Sequence, residues 1–150
     1  MITPIGSEMR EYNRMYRETD ALYHRVAQGL GLSDSAFLIF YALAELGDGC
    51  LQIDIAKRYS ISKQTVSSAV RLLERKGYLY LKHGKKRDMH LVLTPAGEAF
   101  AKDNILPLMQ LENDVFSIMS PEDSRALLKL TRLYTDILTE KFREFLADRK

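Results

Sequence analysis

The side chains best suited to chemistry in this sequence form a polar stretch near the middle of the chain. Between Ser60 and Leu73 there are hydroxyl, amide and cationic side chains but no acidic residue. Ser and Thr donate or accept hydrogen bonds, Gln fits the edge of adenine, and Arg fits guanine or a phosphate. Because a solvated face usually mixes Glu with Lys, we interpret this stretch as a surface that contacts DNA. Its candidate DNA-binding residues are Ser62, Lys63, Gln64, Thr65, Ser67, Ser68, Arg71 and Arg75.

A second group of cations lies in the polar segment 83–88, which separates two short segments rich in Tyr, Leu and Val. This pattern predicts a β-hairpin with a basic tip. Protection of a sheet edge against aggregation is the alternative role for such lysines. Since the hairpin directly follows the basic helix, we favour contacts with the DNA backbone or the minor groove. The candidates at this tip are Lys85, Lys86 and Arg87.

The charge distribution indicates a polyanionic partner for the same region. The 150-residue chain has a net charge of only +2, but residues 51–90 carry +7 and the remainder carries −5. A basic centre between acidic flanks is typical of a protein that binds nucleic acid. The chain has 46% hydrophobic residues, one cysteine and no apolar run of membrane-spanning length, so we expect a soluble cytoplasmic protein without disulfides.

The elements that must position these residues follow from helical periodicity and from capping residues. Ser33, Ser62 and Ser120 can each cap a helix, and Thr94 followed by Pro95 begins a helix in the same way. A proline at position 107 is expected to interrupt the helix that contains it. We expect helices at about 7–28, 34–46, 53–59 and 63–76, strands at 78–82 and 89–94, and further helices that begin at 95 and 121.

Apolar spacing predicts how these elements pack. Val66, Val70 and Leu73 would be buried on one face of the basic helix, and Ile55 and Ala56 would face inward from the short helix before it. A short helix, a tight turn, a second helix and a basic hairpin together make a winged helix-turn-helix, whose second helix enters the major groove. The inner face of the helix at 34–46 would comprise Phe37, Phe40, Leu43, Ala44 and Leu46.

The first and last helices carry more apolar surface than one small core can cover. From Tyr12 to Leu30, the first helix repeats side chains at steps of three and four, as in a coiled coil. We expect a homodimer to cover these surfaces. The apolar face of the last helix comprises Leu127, Leu130, Tyr134, Ile137, Leu138, Phe142 and Phe145.

Over essentially its whole length the sequence resembles the MarR (multiple antibiotic resistance regulator) family. The resemblance rests on the segments 62–67 (SKQTVS), 72–79 (LLERKGYL) and 91–97 (LVLTPAG), and on the order of the helices around them. One departure lies in the wing, where Lys85 stands at a position that is usually aspartate in this family. Arg87 stands at the position of the family's wing arginine.

This resemblance implies a mainly α fold with a small β-hairpin wing. It implies that residues 1–32 and 95–150 form a helical dimerisation region and that residues 33–94 form the winged helix-turn-helix, within one intertwined domain. It further implies a homodimeric transcriptional regulator that binds double-stranded DNA at a pseudo-palindromic site. We expect a repressor that a small molecule releases from DNA.

The effector implied by the resemblance would bind beside the first two helices, and their aromatic side chains favour an aromatic or phenolic molecule. Such a stripe is more often part of a core, which is the alternative for each residue. We expect no cofactor and no metal site, because the three histidines are far apart in sequence. Cys50 is expected to be a structural or incidental cysteine and not a redox switch, since nothing nearby in sequence would clearly lower its thiol pKa. The candidate effector-binding residues are Tyr12, Tyr16, Tyr23, Phe37, Phe40 and Tyr41.

Three other functional classes are alternatives to a regulator. An enzyme is disfavoured, because the sequence has no glycine-rich phosphate loop, HExxH or GxSxG motif. A nonspecific architectural DNA-binding protein would bind all sequences with uniform affinity. A winged-helix protein-interaction module would expose apolar or acidic residues on its wing, whereas this wing exposes Lys and Arg.

Overall fold

The computed structural model describes residues 4–85 and 88–149. The described residues form helices and a two-stranded antiparallel hairpin in the expected order, which confirms the mainly α fold with a β-hairpin wing. The helices are α1 (Ser7–Gly29), α2 (Asp34–Leu46), α3 (Gln52–Arg58), α4 (Lys63–Arg75), α5 (Pro95–Phe100), α6 (Leu106–Ile118) and α7 (Pro121–Ala147), and the strands are β1 (Leu79–His83) and β2 (Met89–Leu93).

The chain divides into two compact units. Residues up to Pro107 form the first unit, which contains α1, the helix-turn-helix and the hairpin, and residues from Leu108 onward form the second. Among the described residues, no single helix is long and apolar enough to cross a membrane, and only α1 and α2 taken together, bent by 91°, meet that test.

The core of the first unit lies between α2, α3, α4 and the hairpin. Phe40, Ile55, Leu73 and Leu91 are fully buried there. Helix α2 begins at the Ser33 cap, whose Oγ accepts a hydrogen bond from the Ala36 amide at 3.2 Å. The bond pairs an amide that has no partner within the helix, and the predicted start of α2 is confirmed.

The inner face of α2 is shorter than the periodicity predicts. Phe37, Phe40 and Leu43 are buried as expected, but Ala44 is only half-buried and Leu46 is 37% exposed. The prediction that Leu46 lies on the inner face is therefore wrong. The reason is its place at the very end of α2, where Gly47 turns the chain away with a φ of 97°.

Residues 48–51 pair with the outer edge of β2, a contact that the sequence analysis missed. The Gly49 amide donates to the Leu91 carbonyl at 2.7 Å, and the Leu91 amide donates to the Cys50 carbonyl at 2.9 Å. Asp48 Oδ1 accepts a hydrogen bond from the Leu93 amide at 2.8 Å. These bonds tie the hairpin to the start of α3.

The helical segment after the hairpin contains a π-helical turn at Ala101–Ile105. In an ordinary α-helix the ring of Pro107 would clash with the carbonyl of Asp103, and Pro107 has no amide hydrogen to donate. The wider turn precedes Pro107, which then lies in the first turn of α6, where a missing amide hydrogen is tolerated. The expected interruption is thus present, a few residues before the proline.

The second unit contains most of α6 and all of α7. Helix α7 begins at the Ser120 cap, whose Oγ accepts from the Asp123 amide at 3.0 Å, as its Ser-Pro start predicts. None of the α7 residues 121–147 is buried. Most of its large apolar side chains are exposed in the single chain, whereas Tyr134 and Leu138 are half-buried.

Candidate nucleic-acid interface

Helix α4 has one buried face and one polar exposed face. Val66, Ala69, Val70 and Leu73 are at most 3% exposed and pack inward. The side chains opposite them point to solvent, while Ser67 is half-buried between the two faces. The exposed residues include seven of the predicted DNA-binding residues, Ser62, Lys63, Gln64, Thr65, Ser68, Arg71 and Arg75.

Two of these hydroxyl groups hold the start of α4. Ser62 Oγ accepts a hydrogen bond from the Thr65 amide at 3.0 Å and lies 2.8 Å from Thr65 Oγ1. This is a helix cap supported by a second hydroxyl. Ser62 and Thr65 therefore have a structural task in addition to any contact with DNA.

The guanidinium group of Arg71 is held against its own helix. Arg71 Nη2 donates to Ser67 Oγ at 3.1 Å, one helical turn earlier. The remaining N–H groups of the guanidinium stay available, because a guanidinium has five donors in a planar fork. The arrangement suits a bidentate contact with guanine or with a phosphate.

The brace helix α3 packs against α4 as predicted. Ile55 and Ala56 are 0% and 7% exposed, respectively. After Tyr59 the chain turns through Ser60, whose φ of 51° is unusual for a residue other than glycine. The Ile61 amide donates to the Ala56 carbonyl at 3.1 Å and closes this turn.

A charged cluster between the ends of α2 and α3 was missed by the sequence analysis. Arg58 Nη2 donates to Glu45 Oε1 at 2.5 Å, and the Tyr59 hydroxyl donates to Glu45 Oε2. The two hydrogen bonds, that from Arg58 first, lower the pKa of Glu45. The one signal in the sequence is a glutamate in the last turn of a predicted helix, where a carboxylate is unfavourable.

The wing carries one described candidate at its tip. Lys85 is exposed beyond the end of β1. Lys86 and Arg87 lie outside the described residues. At the base of the tip, the Gly84 amide donates to the Asp88 carbonyl at 2.9 Å, and His90 Nδ1 donates to the Gly49 carbonyl at 2.7 Å.

A cleft of about 410 Å³ lies between α3, α4 and β2. It brings Lys63 and Ser67 together with residues that the sequence analysis did not select. A helix and a wing that flank one concave surface are suited to embrace a duplex. The cleft is lined by Leu51, Gln52, Ile53, Lys63, Ser67, Asp88 and Met89.

The candidate effector-binding residues lie in two different environments. Phe37 and Phe40 are buried, and the Phe40 ring packs against Tyr78 and Phe100 at centroid distances of 5.5 and 4.7 Å. Tyr41 is half-buried, with its ring centroid 6.1 Å from that of Phe37. The α1 residues of the set are exposed, at 38% for Tyr12, 65% for Tyr16 and 40% for Tyr23.

The surroundings of Cys50 and His24 do not suggest a reactive or metal-binding site. Burial, together with the nearby carboxylates Asp54 and Asp48, raises the pKa of the Cys50 thiol to about 11. His24 Nδ1 contacts Asp34 Oδ1 at 2.8 Å, which links α1 to α2. Within residues 4–85 and 88–149 there is no group of three His, Cys, Asp or Glu side chains that could hold a metal ion.

Comparison with known proteins finds one family model that matches part of this chain. Residues 30–87, which include the helix-turn-helix and β1 but not β2, match the MarR family model. No curated protein matches the chain with significant sequence similarity.

Solved structures share the fold over nearly the whole chain. NMB1585, a MarR family regulator from Neisseria meningitidis, is 23% identical, with 97% of this chain and 100% of that one covered and a TM-score of 0.70. MepR of S. aureus in complex with DNA is 21% identical (89% and 99% covered, TM-score 0.67). BpsR of Bordetella bronchiseptica, whose DNA binding is regulated by 6-hydroxynicotinic acid, is also 21% identical (89% and 99% covered, TM-score 0.66). The named structures are each less than 25% identical to this chain and show that it shares their winged helix fold, while residues 30–87 match the MarR family model.

Proposed function

We propose that this protein is a homodimeric, sequence-specific transcriptional repressor that a small aromatic or phenolic molecule releases from DNA. Two α4 helices related by a two-fold axis would insert into successive major grooves. The half-sites of the pseudo-palindrome would then lie about one helical turn, ~10 bp, apart. The observation that carries this proposal is the exposed polar face of α4, which has no acidic side chain from Ser62 to Leu73.

The chemistry of that face favours specific over architectural binding. Gln64 and Arg71 can each make two hydrogen bonds to a base edge, and both are exposed. An architectural protein needs only phosphate contacts from cations. The combination of amide, hydroxyl and guanidinium groups on one helix exceeds that need. The exposed Lys85 on the wing disfavours a protein-interaction module, whose wing would be apolar or acidic.

The dimer is supported by the apolar surface of α7. Soluble single chains rarely expose contiguous apolar surface on this scale, so a second copy is the simplest cover. Helix α1 adds exposed Met15, Tyr16 and Leu22. We accordingly assign dimerisation to residues 1–32 and 95–150, and DNA binding to residues 33–94. The exposed α7 residues include Leu127, Leu128, Leu130, Leu133, Ile137, Phe142, Phe145 and Leu146, each at least 46% exposed.

Release by an effector is supported by relatives of the same fold. The DNA binding of BpsR is regulated by 6-hydroxynicotinic acid, an aromatic molecule. The exposed tyrosines of α1 and the half-buried Tyr41 offer surfaces on which an aromatic ring could stack. A repressor of this kind would act in the cytoplasm, where bacterial and archaeal DNA is found.

The proposal is tested by selecting the purified protein against random duplex DNA at near-physiological salt and sequencing the retained fraction. Its mass in solution, measured by light scattering, gives the number of copies in the free and DNA-bound states. We expect two copies and enrichment of a pseudo-palindrome. Retention of DNA without any enriched motif would instead support the architectural alternative. No retention even at low salt would show that the basic face serves another partner or that the dimer is already held in its released state.

A further inference from the structure

Glu45 uses both of its carboxylate oxygens to hold the end of the brace helix. Arg58 donates to one oxygen and the hydroxyl of Tyr59 donates to the other. Glu45 lies in the last turn of α2, where the partial negative charge of the helix end opposes a carboxylate. The position is therefore costly for α2 alone, and the two contacts to α3 offset this cost.

The two donors stand at the point that determines where α4 begins. Arg58 is the last residue of α3, and Tyr59 is its C-cap. Only residues 60–62 separate Tyr59 from α4, and they form a turn closed by the Ile61 amide and ended by the Ser62 cap. So short a connection transmits the position of Tyr59 directly to the first turn of α4.

The protonation states of the cluster are complementary at neutral pH. Hydrogen bonds from Arg58 and Tyr59 lower the pKa of Glu45, so this group is an ionised acceptor. Burial, followed by the hydrogen bond to Glu45, raises the pKa of Tyr59, so its phenol keeps the proton that it donates. The side chains of Glu45 and Arg58 are 33% and 58% exposed, so water screens their ion pair and the cluster depends on its geometry more than on its charge.

We propose that Glu45 is a positioning residue for DNA recognition, which fixes α3 and the following turn through Arg58 and Tyr59 and thereby sets the direction in which α4 presents its polar face. This inference rests on the proposed sequence-specific binding. Base contacts depend on direction, whereas phosphate contacts from flexible cations tolerate small rotations. Loss of the cluster should therefore reduce specific binding and leave nonspecific binding nearly unchanged.

The variants Glu45→Gln and Tyr59→Phe test this role with little change in shape. Affinity is measured by fluorescence anisotropy for the selected site and for an unrelated duplex of the same length. We expect each variant to weaken specific binding by about five- to tenfold, and the double variant to weaken it by less than the product, because both act on one cluster. Glu98→Gln is the matched control, since Glu98 is exposed on α5 and its loss changes the net charge equally.

A second measurement separates positioning from plain stability. Amide hydrogen exchange on the DNA-free protein should become faster at residues 60–66 in both variants, and by more than any change in global unfolding accounts for. An unaltered ratio of specific to nonspecific affinity would overturn the proposal, whether or not exchange becomes faster. If Glu45→Gln does not fold, Tyr59→Phe decides alone. A wild-type chain without any sequence preference would refute the proposed function itself, which is a different outcome.

Discussion

The carbonyl oxygen of Tyr78 packs so closely on Gly97 that a methyl group at position 97 would overlap it. The two residues lie at the exit from α4 and in the first turn of α5. Thr94 secures the contact, because its amide donates to the Tyr78 carbonyl at 3.0 Å and its hydroxyl donates to the Gly77 carbonyl at 2.6 Å. The segment 94–97 therefore closes the hairpin onto the end of α4, so that the wing and the polar face of α4 form one surface.

Gly97→Ala is expected to destabilise the protein by about 2–3 kcal/mol, because backbone atoms cannot move aside as a flexible side chain can. The free energy of unfolding in urea measures this loss. Gly29→Ala is the matched control. Gly29 is helical and has no atom within 4 Å of an added methyl group. That substitution should stabilise the protein by about 0.5 kcal/mol. Equal effects of the two substitutions would contradict the close approach.

Arg71→Ala is expected to weaken binding to the selected site by about 1–3 kcal/mol and to weaken nonspecific binding less, because base contacts are lost. Competition binding on both duplexes measures the two losses. Arg71→Lys keeps the charge but not the planar fork, so it should restore only nonspecific binding. Equal losses on the two duplexes would show that Arg71 contacts the backbone alone.

Lys85→Ala is expected to weaken binding to both duplexes to a similar extent, because a lysine at the wing tip contacts phosphates. The slope of log K against log salt should become less negative by about 0.9, the value for one lost phosphate contact. Lys102, exposed in the π-helical turn, provides the control lysine. A slope that does not change would remove Lys85 from the DNA contacts.

The parts of the fold that sequence predicted are those that local chemistry determines. Ser62 and Ser120 are correct as helix caps, because a cap needs only its own next three residues. The pairing of Gly49 with Leu91 and the contact of Glu45 with Tyr59 were missed, since they join segments distant in sequence and leave no periodic signal. Leu46 was misplaced because periodicity does not show where a helix leaves the core.

The exposed polar face of α4 was predictable because it also follows from local sequence. Its buried side chains recur at helical spacing, so the exposed side was determined once the helix was assigned. The contact of Arg71 with Ser67 is also local, at one helical turn, although its geometry required coordinates. The burial of the aromatic candidates was harder to predict from sequence, because Phe40 packs against Phe100 only when α2 and α5 come together in the fold.

Leu130→Glu is expected to convert the proposed dimer into monomers, because it places a charge on the apolar face of α7. Leu130 is 60% exposed in the single chain, so the substitution should not unfold the monomer. Light scattering measures the mass, and affinity for a full pseudo-palindrome should fall while affinity for one half-site stays. Lys129→Glu, on the polar side of α7, is the control. An unchanged dimer would place the interface elsewhere.

Cys50 is expected to react slowly with thiol reagents at neutral pH. Only the thiolate is nucleophilic, and burial together with Asp54 and Asp48 raises the pKa of this thiol to about 11. The thiolate fraction thus grows as pH rises, and the alkylation rate should increase about tenfold per pH unit from pH 7 to 10. In urea, the alkylation rate of the same cysteine should level off near the ordinary thiol pKa of about 8.5. Asp54→Asn removes one of the raising charges and should speed the reaction of the folded protein. A folded-state rate that levels off below pH 8 would contradict this account and identify Cys50 as a reactive thiol.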